Sequence, residues 1–238
     1  MTQTILDPIK HKDLKVIDLR GEKYDEKINI VPVIAGELKS LVNEYFVCFL
    51  KDPNTGLFGL HALTGLESGE NLYLQNNTWQ AYYVPMQIRR HPFFMGVTGE
   101  TGTKPTKDNT VITIQLEDKR VTDEGGEALF NELGEASEYL KNVSSLMANL
   151  LQGIQPTSNF IDALIEHDLI APLKLQMTLA NGEKKTLQSL YGINEENLAA
   201  LSGEVLERFH KNGYIHASHL IIASLGQIQR LINWKNIV

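Results

Sequence analysis

Two stretches of this 238-residue chain combine side chains that could do chemistry. In His11-Lys12-Asp13 an imidazole and a carboxylate stand two positions apart, the spacing of a non-haem iron facial triad. Completing that centre takes a second histidine from His61, His91, His210, His216 or His219. His219 is the partner adopted for this reading, with Fe(II) as the cofactor and two open positions for oxygen and a co-substrate. The motif precedes the first strand, on a polar arm, which counts against it. The second stretch is Arg89-Arg90-His91-Pro92-Phe93, which follows Trp79, Tyr82 and Tyr83. Two guanidinium groups beside aromatic rings suit a carboxylate, a phosphate or an acidic partner segment. The plainer alternative pairs one arginine with a nearby glutamate and leaves the aromatics to fill a sheet face. Trp79, Tyr83, Arg89 and Arg90 are the candidate contact residues.

Other motifs fail on their own terms. His216 and His219 share a helical face with His210 upstream, yet no Glu or Cys completes an HExxH-type zinc pattern. Gly99-Glu-Thr-Gly-Thr-Lys104 resembles a phosphate-binding loop, but Pro105 and a strand follow where a helix is required. Gly65-Leu-Glu-Ser-Gly69 lacks the Gly-X-Ser-X-Gly order of a nucleophile elbow. Cys48, the single cysteine, lies in an apolar run, where a reduced, buried, inert thiol is expected.

The elements that must position these groups follow from periodicity. Residues 45–50 form a continuous apolar run, as a strand buried on both faces should. Asp52-Pro53-Asn54-Thr55-Gly56 then supplies a tight reversal, and residues 57–63 return as a second strand at the centre of a sheet. Residues 14–19 read as a first short strand and 31–42 as a short helix. Brief extended segments are expected at 71–74 and 78–83 around Asn76-Asn77, with a helical turn at 86–90. A loop over 96–109 precedes a strand at 110–116. Between Glu117 and Glu138 eight acids face only Lys119 and Arg120, read as a solvated loop with acids at a helix start.

Beyond it the period changes to 3.6. Leu140, Val143, Leu146, Met147, Leu150 and Leu151 form an apolar stripe. A new helix is expected from Pro156-Thr157-Ser158, carrying Phe160, Ile161, Leu164 and Ile165. Leu173, Leu175, Met177 and Leu179 alternate into an Asn181-Gly182 hairpin turn. Ser202 starts a helix ending before Gly213, and one last helix over 215–234 places Leu220, Ile221, Leu225, Ile228, Leu231 and Ile232 inward. The expected class is α+β: a sheet-rich, mostly antiparallel N-terminal half packed with a helical C-terminal half containing a β-hairpin. Residues 1–238 are read as one domain, with a division near 120/121 as the alternative.

Composition narrows the role. A hydrophobic fraction of 42% supports a full core, and a net charge of −7 argues against a sequence-independent grip on nucleic acid. No uncharged apolar run approaches the ~20 residues of a membrane span, and the N-terminus lacks a secretory pattern, so a soluble, cytoplasmic protein is expected.

With these residues in view, the chain resembles the SapC-like family of bacterial proteins. The likeness is dispersed: His11-Lys-Asp-Leu-Lys-Val16, Val31-Pro32-Val33, Lys51-Asp52-Pro53 with Thr55-Gly56, and Gly65-Leu66 with Gly69-Glu70-Asn71-Leu72. It continues through Tyr83-Val84-Pro85, Arg89-Arg90, Pro92-Phe93, Glu127-Ala-Leu-Phe130 and Gly134-Glu135. Leu190-Tyr191, Asn194-Glu195, His210, Gly213-Tyr214, Ser218-His219-Leu220 and Ser224-Leu225-Gly226 complete it. The resemblance implies association with surface-layer genes and with neighbours that look like tryptophan halogenases, cupin-like or prolyl-hydroxylase-like oxygenases, and outer-membrane receptors. It implies no catalytic residue. A peptide-transporter permease shares the family's name, but nothing here can cross a membrane as a helix. The expected function is that of an accessory or binding protein with a protein partner and no cofactor. Two other readings are open: the iron oxygenase of His11, Asp13 and His219, and a small-ligand sensor.

Overall fold

The computed structural model describes residues 3–21, 24, 26–99, 103, 106 and 109–237. In chain order the strands are β1 (Gln3–Ile5), β2 (Lys15–Val16), β3 (Ile30–Pro32), β4 (Phe46–Lys51), β5 (Phe58–Leu63), β6 (Leu74–Gln75) and β7 (Thr78–Trp79). They continue as β8 (Phe93–Val97), β9 (Thr110–Gln115), β10 (Val121–Thr122), β11 (Glu127–Ala128), β12 (Ile170–Thr178) and β13 (Lys184–Ile193). The helices are α1 (Leu38–Leu41), α2 (Met86–Arg89), α3 (Glu138–Glu166), α4 (Glu195–Ala199), α5 (Gly203–Lys211), α6 (Tyr214–Ser224) and α7 (Ile228–Lys235). The class is α+β, with antiparallel sheets mostly in the N-terminal half and helices mostly in the C-terminal half. Interleaved segments make two compact units: 1–26, 76–79 and 86–152 in the first, and 27–75, 80–85 and 153–238 in the second.

In the first unit, β1, β9 and β8 form one sheet, with Gln3 opposite Gln115 and Phe93 opposite Ile114. The expected polar arm is therefore in part an edge strand. A second small sheet sets β2 between β10 and β11. The strand expected over 14–19 shrinks to Lys15–Val16, and part of the acidic stretch expected as a loop is in fact β10 and β11. Val16, Phe93, Ile114 and Leu129 meet Leu140, Val143, Met147 and Leu150 of α3 in one core. This is the face that the 3.6-residue period marked. Of the loop expected over 96–109, residues 96–97 instead end β8, and half of the stretch lies outside the described residues.

The second unit is built on a five-stranded antiparallel sheet of order β12-β13-β4-β5-β3. Phe46, Val47, Cys48 and Phe49 of its central strand are at most 1% exposed, which explains an apolar run without alternation. The helix expected over 31–42 begins instead as β3, whose Pro32 sits on an edge strand where a missing N–H costs little. A 3-10 turn at Ala35–Glu37 and the single turn of α1 follow, started by Glu37 Oε2 accepting from Ile34 N–H at 3.1 Å.

Two helix boundaries differ from expectation. Helix α3 runs through Pro156 without restarting there. Proline removes one helical hydrogen bond, but buried residues on both sides, Leu150 and Phe160 among them, hold the helix. Thr157 adds a stitch: its hydroxyl donates to Gly153 carbonyl at 2.7 Å and accepts Ala35 N–H at 2.8 Å. Conversely, the last expected helix is broken by a 3-10 turn at Leu225–Gln227. The break brings Ser224 Oγ to 3.0 Å from Val47 N and lets Gln227 donate to Asn43 carbonyl at 3.0 Å. Leu225, expected inward, is 38% exposed, while Ser224 is buried.

Buried Ser218 Oγ, on the same helix, has no hydrogen-bond partner among the described residues. The two serines should therefore respond oppositely. Ser224→Ala strands a buried strand N–H and should cost about 1–3 kcal/mol in urea unfolding, whereas Ser218→Ala should leave stability unchanged or raised.

Candidate functional site

Helix α2 and the turn after it carry the arginines that the sequence singled out. Arg90 is spent within its own segment. Its Nε donates to Gln87 Oε1 at 2.6 Å, its Nη1 donates to Phe93 carbonyl at 2.9 Å, and its guanidinium lies 4.3 Å from the Phe94 ring centroid. Arg89 has an exposed side chain, and its carbonyl accepts from Arg20 Nη2 at 3.1 Å. Trp79, in the same unit, is buried at 9% exposure. Tyr83 belongs to the second unit, where its hydroxyl donates to Glu37 Oε1 at 2.9 Å and its carbonyl accepts from Tyr45.

Beneath Arg89 lies a charged cluster that sequence reading missed. Arg120, counted there among solvated charges, is 1% exposed. Its Nη2 donates to Glu26 Oε1 at 2.6 Å and to Tyr24 carbonyl at 3.2 Å. Nη1 donates to both Asp118 oxygens at 3.0 and 3.1 Å, and Nε donates to Leu19 carbonyl at 3.4 Å. The guanidinium also stacks 4.8 Å from the Tyr24 ring centroid. Glu26 accepts in turn from Gly21 N–H at 2.8 Å and from Arg20 Nη1 at 3.5 Å, and Arg20 pairs with Asp18. No spacing announces this set, because its members come from positions about a hundred residues apart.

His91 sits beside the cluster, edge-on to Phe94 at 5.3 Å. Burial, with Arg90 and Arg120 nearby, pushes its pKa down to about 4. It is a neutral spacer at neutral pH.

The three residues of the iron reading lie as follows in the structure. His11 Nδ1 accepts from Asp7 N–H at 3.0 Å, while Asp7 Oδ1 caps Ile9 and Lys10 N–H at 2.9 Å each. Asp13 points to solvent near Lys12. His219, in the second unit, places Nδ1 2.8 Å from Ile215 carbonyl. Among the described residues, no three His, Cys, Asp or Glu side chains gather as a metal-binding group. Cys48 is fully buried, and burial pushes its thiol up to about 12, far from a nucleophilic thiolate.

The first unit also holds an open cleft of about 720 Å³. One wall is the 7–13 turn with Ile9, Lys12 and Asp13; the other is the 130–134 loop with Phe130 and Leu133. Both walls are locally braced. Asn131 Oδ1 accepts Leu133 N–H at 3.0 Å and Glu135 N–H at 2.9 Å, much as Asp7 braces the opposite turn. These turns hold Ile9 at 82% exposure and Leu133 at 83%. The Asx-turn residues Asp7 and Asn131 were the available sequence signal.

A family model described as SapC matches residues 6–231. The chain belongs to the SapC family. No curated protein and no solved structure matches it. Arg89-Arg90 and Pro92-Phe93 lie on the segment whose carbonyls Arg20 and Arg90 hold. Among the described residues, no helix is long and apolar enough to cross a membrane.

Two measurements check this site. Glu26→Gln removes a buried counter-charge from Arg120 and should cost about 3 kcal/mol in chemical unfolding. For His91 the folded pKa lies below the unfolded 6.5, so its contribution is complete above pH 6.5 and is lost as pH falls through 4. Between pH 7 and pH 4 the wild type should lose on the order of 3 kcal/mol more than His91→Gln, read by urea titrations at each pH.

Proposed function

We propose that this chain is a non-catalytic binding protein that docks a polypeptide segment of a partner in the cleft between the 7–13 and 130–134 turns. The carrying observation is the presentation of Ile9 and Leu133, each more than four-fifths exposed, on turns fixed by their own side-chain hydrogen bonds. Large apolar side chains held rigidly in water are a cost in isolation and an asset at an interface. Lys12, Lys15, Asp123 and Glu132 surround them with both signs of charge, which suits a polypeptide better than a nucleic acid. Arg89, exposed in the same unit, is a further contact in this reading, whereas Arg90, Trp79 and Tyr83 take no part in it. The partner belongs to the oxygenase, tryptophan-halogenase-type or surface-layer system that the family's gene associations suggest, and the meeting takes place in the cytoplasm.

The test is affinity capture of the tagged full chain from its native cell, alongside an Ile9→Glu, Leu133→Glu double variant. A partner retained by the wild type and lost with the variant, at an unchanged melting temperature, is the expected result. Identical captured proteins from both chains would refute docking in this cleft.

A further inference from the structure

A second cavity, of about 390 Å³, opens within the second unit between the turn at 35–39, the C-terminal part of α3 and the start of α6. Its floor is apolar: Leu38 and Phe160 are each 1% exposed, and the Phe160 ring packs 5.3 Å from that of Tyr214. Its polar side chains are Lys39, Asn212, Tyr214 and His216. None of these four forms a side-chain hydrogen bond or ion pair with another described residue. No acid lines the cavity, although the chain as a whole carries −7. Three lysines of this unit are ion-paired, Lys185 and Lys235 with Glu67 and Lys211 with Glu207, whereas Lys39 faces the cavity with no acid beside it. A volume of this size, an apolar floor and a few unengaged polar groups at the rim are the attributes of a small-molecule site.

We propose that this cavity binds a small aliphatic carboxylate. The carboxylate pairs with Lys39 and is within the compass of the His216 and Asn212 side chains at the rim, and the tail lies on Leu38 and Phe160. Charge complementarity selects the anion, since an ammonium head group would meet the like charge of Lys39 with no acid in the lining to balance it, and an uncharged head would leave Lys39 unmatched. The site is independent of the polypeptide cleft, which belongs to the other unit.

Titration calorimetry with decanoate tests it, with decanol as the uncharged control of equal length. One saturable decanoate site per chain is expected, with decanol weaker. Lys39→Glu alters an exposed side chain and should leave the melting temperature of the free chain unchanged while weakening decanoate roughly tenfold. Ala217→Phe, which fills the cavity, should abolish binding; should that variant not fold, the Lys39→Glu result decides. Equal affinity for decanoate and decanol, full decanoate affinity in folded Lys39→Glu, several sites per chain, or no binding would each overturn the proposal.

Discussion

Burying one guanidinium sets most of the constraints on the first unit. The Arg120 guanidinium carries five N–H donors, and every one that leaves water must find an acceptor. The acceptors are the carbonyls of Leu19 and Tyr24 and the carboxylates of Glu26 and Asp118, so residues 19, 24 and 26 are all drawn to residue 120. Glu26 then fixes Gly21, and Arg20 reaches on to the Arg89 carbonyl. The conformation of the arginine-rich segment is thereby tied to a charge pair far away in sequence. Polar residues that look available for a ligand are in large part the supports of this arrangement.

The second unit solves a different problem, that of a strand buried on both faces. Strand β13 pairs with β4 only at Phe49 and Leu50, which leaves Val47 N–H without a strand partner on that side. Ser224 supplies the acceptor, and it can do so because the C-terminal helix breaks there. An uninterrupted helix would carry Gln227 onward along one axis and away from the carbonyls of residues 42 and 43. The interruption therefore belongs to the packing of the sheet. The close approach of Gly153 to Ile34 has the same character: a Cβ at 153 would lie 2.2 Å from Ile34 Cδ1.

With the buried charges around Arg120 and the Ser224 hydroxyl so engaged, the two binding proposals rest on features of the surface. Ile9 and Leu133 are held out by braced turns, and four polar groups ring the apolar hollow near Lys39. These are two surfaces of unlike chemistry, one proposed for a polypeptide and one for an apolar anion, each within a single unit. Neither makes use of the His11-X-Asp13 spacing.

Local pattern determined a good deal by itself. The doubly buried run at 46–49, the Asn181-Gly182 hairpin, the α3 stripe and the paired asparagines at 76 and 77, both at positive φ, all follow from interactions within a few residues. The α+β class followed from the sum of such signals. What only tertiary structure decided was the outcome of competition between local preference and distant partners. Pro156 failed to end a helix because buried side chains on both sides outweigh one lost hydrogen bond, and 31–32 became strand because β5 was there to pair with. The location of the candidate sites was hidden for the same reason. Arg120 meets Glu26 across 94 positions, and the Lys39 cavity joins three stretches of chain, so no window of sequence contains either.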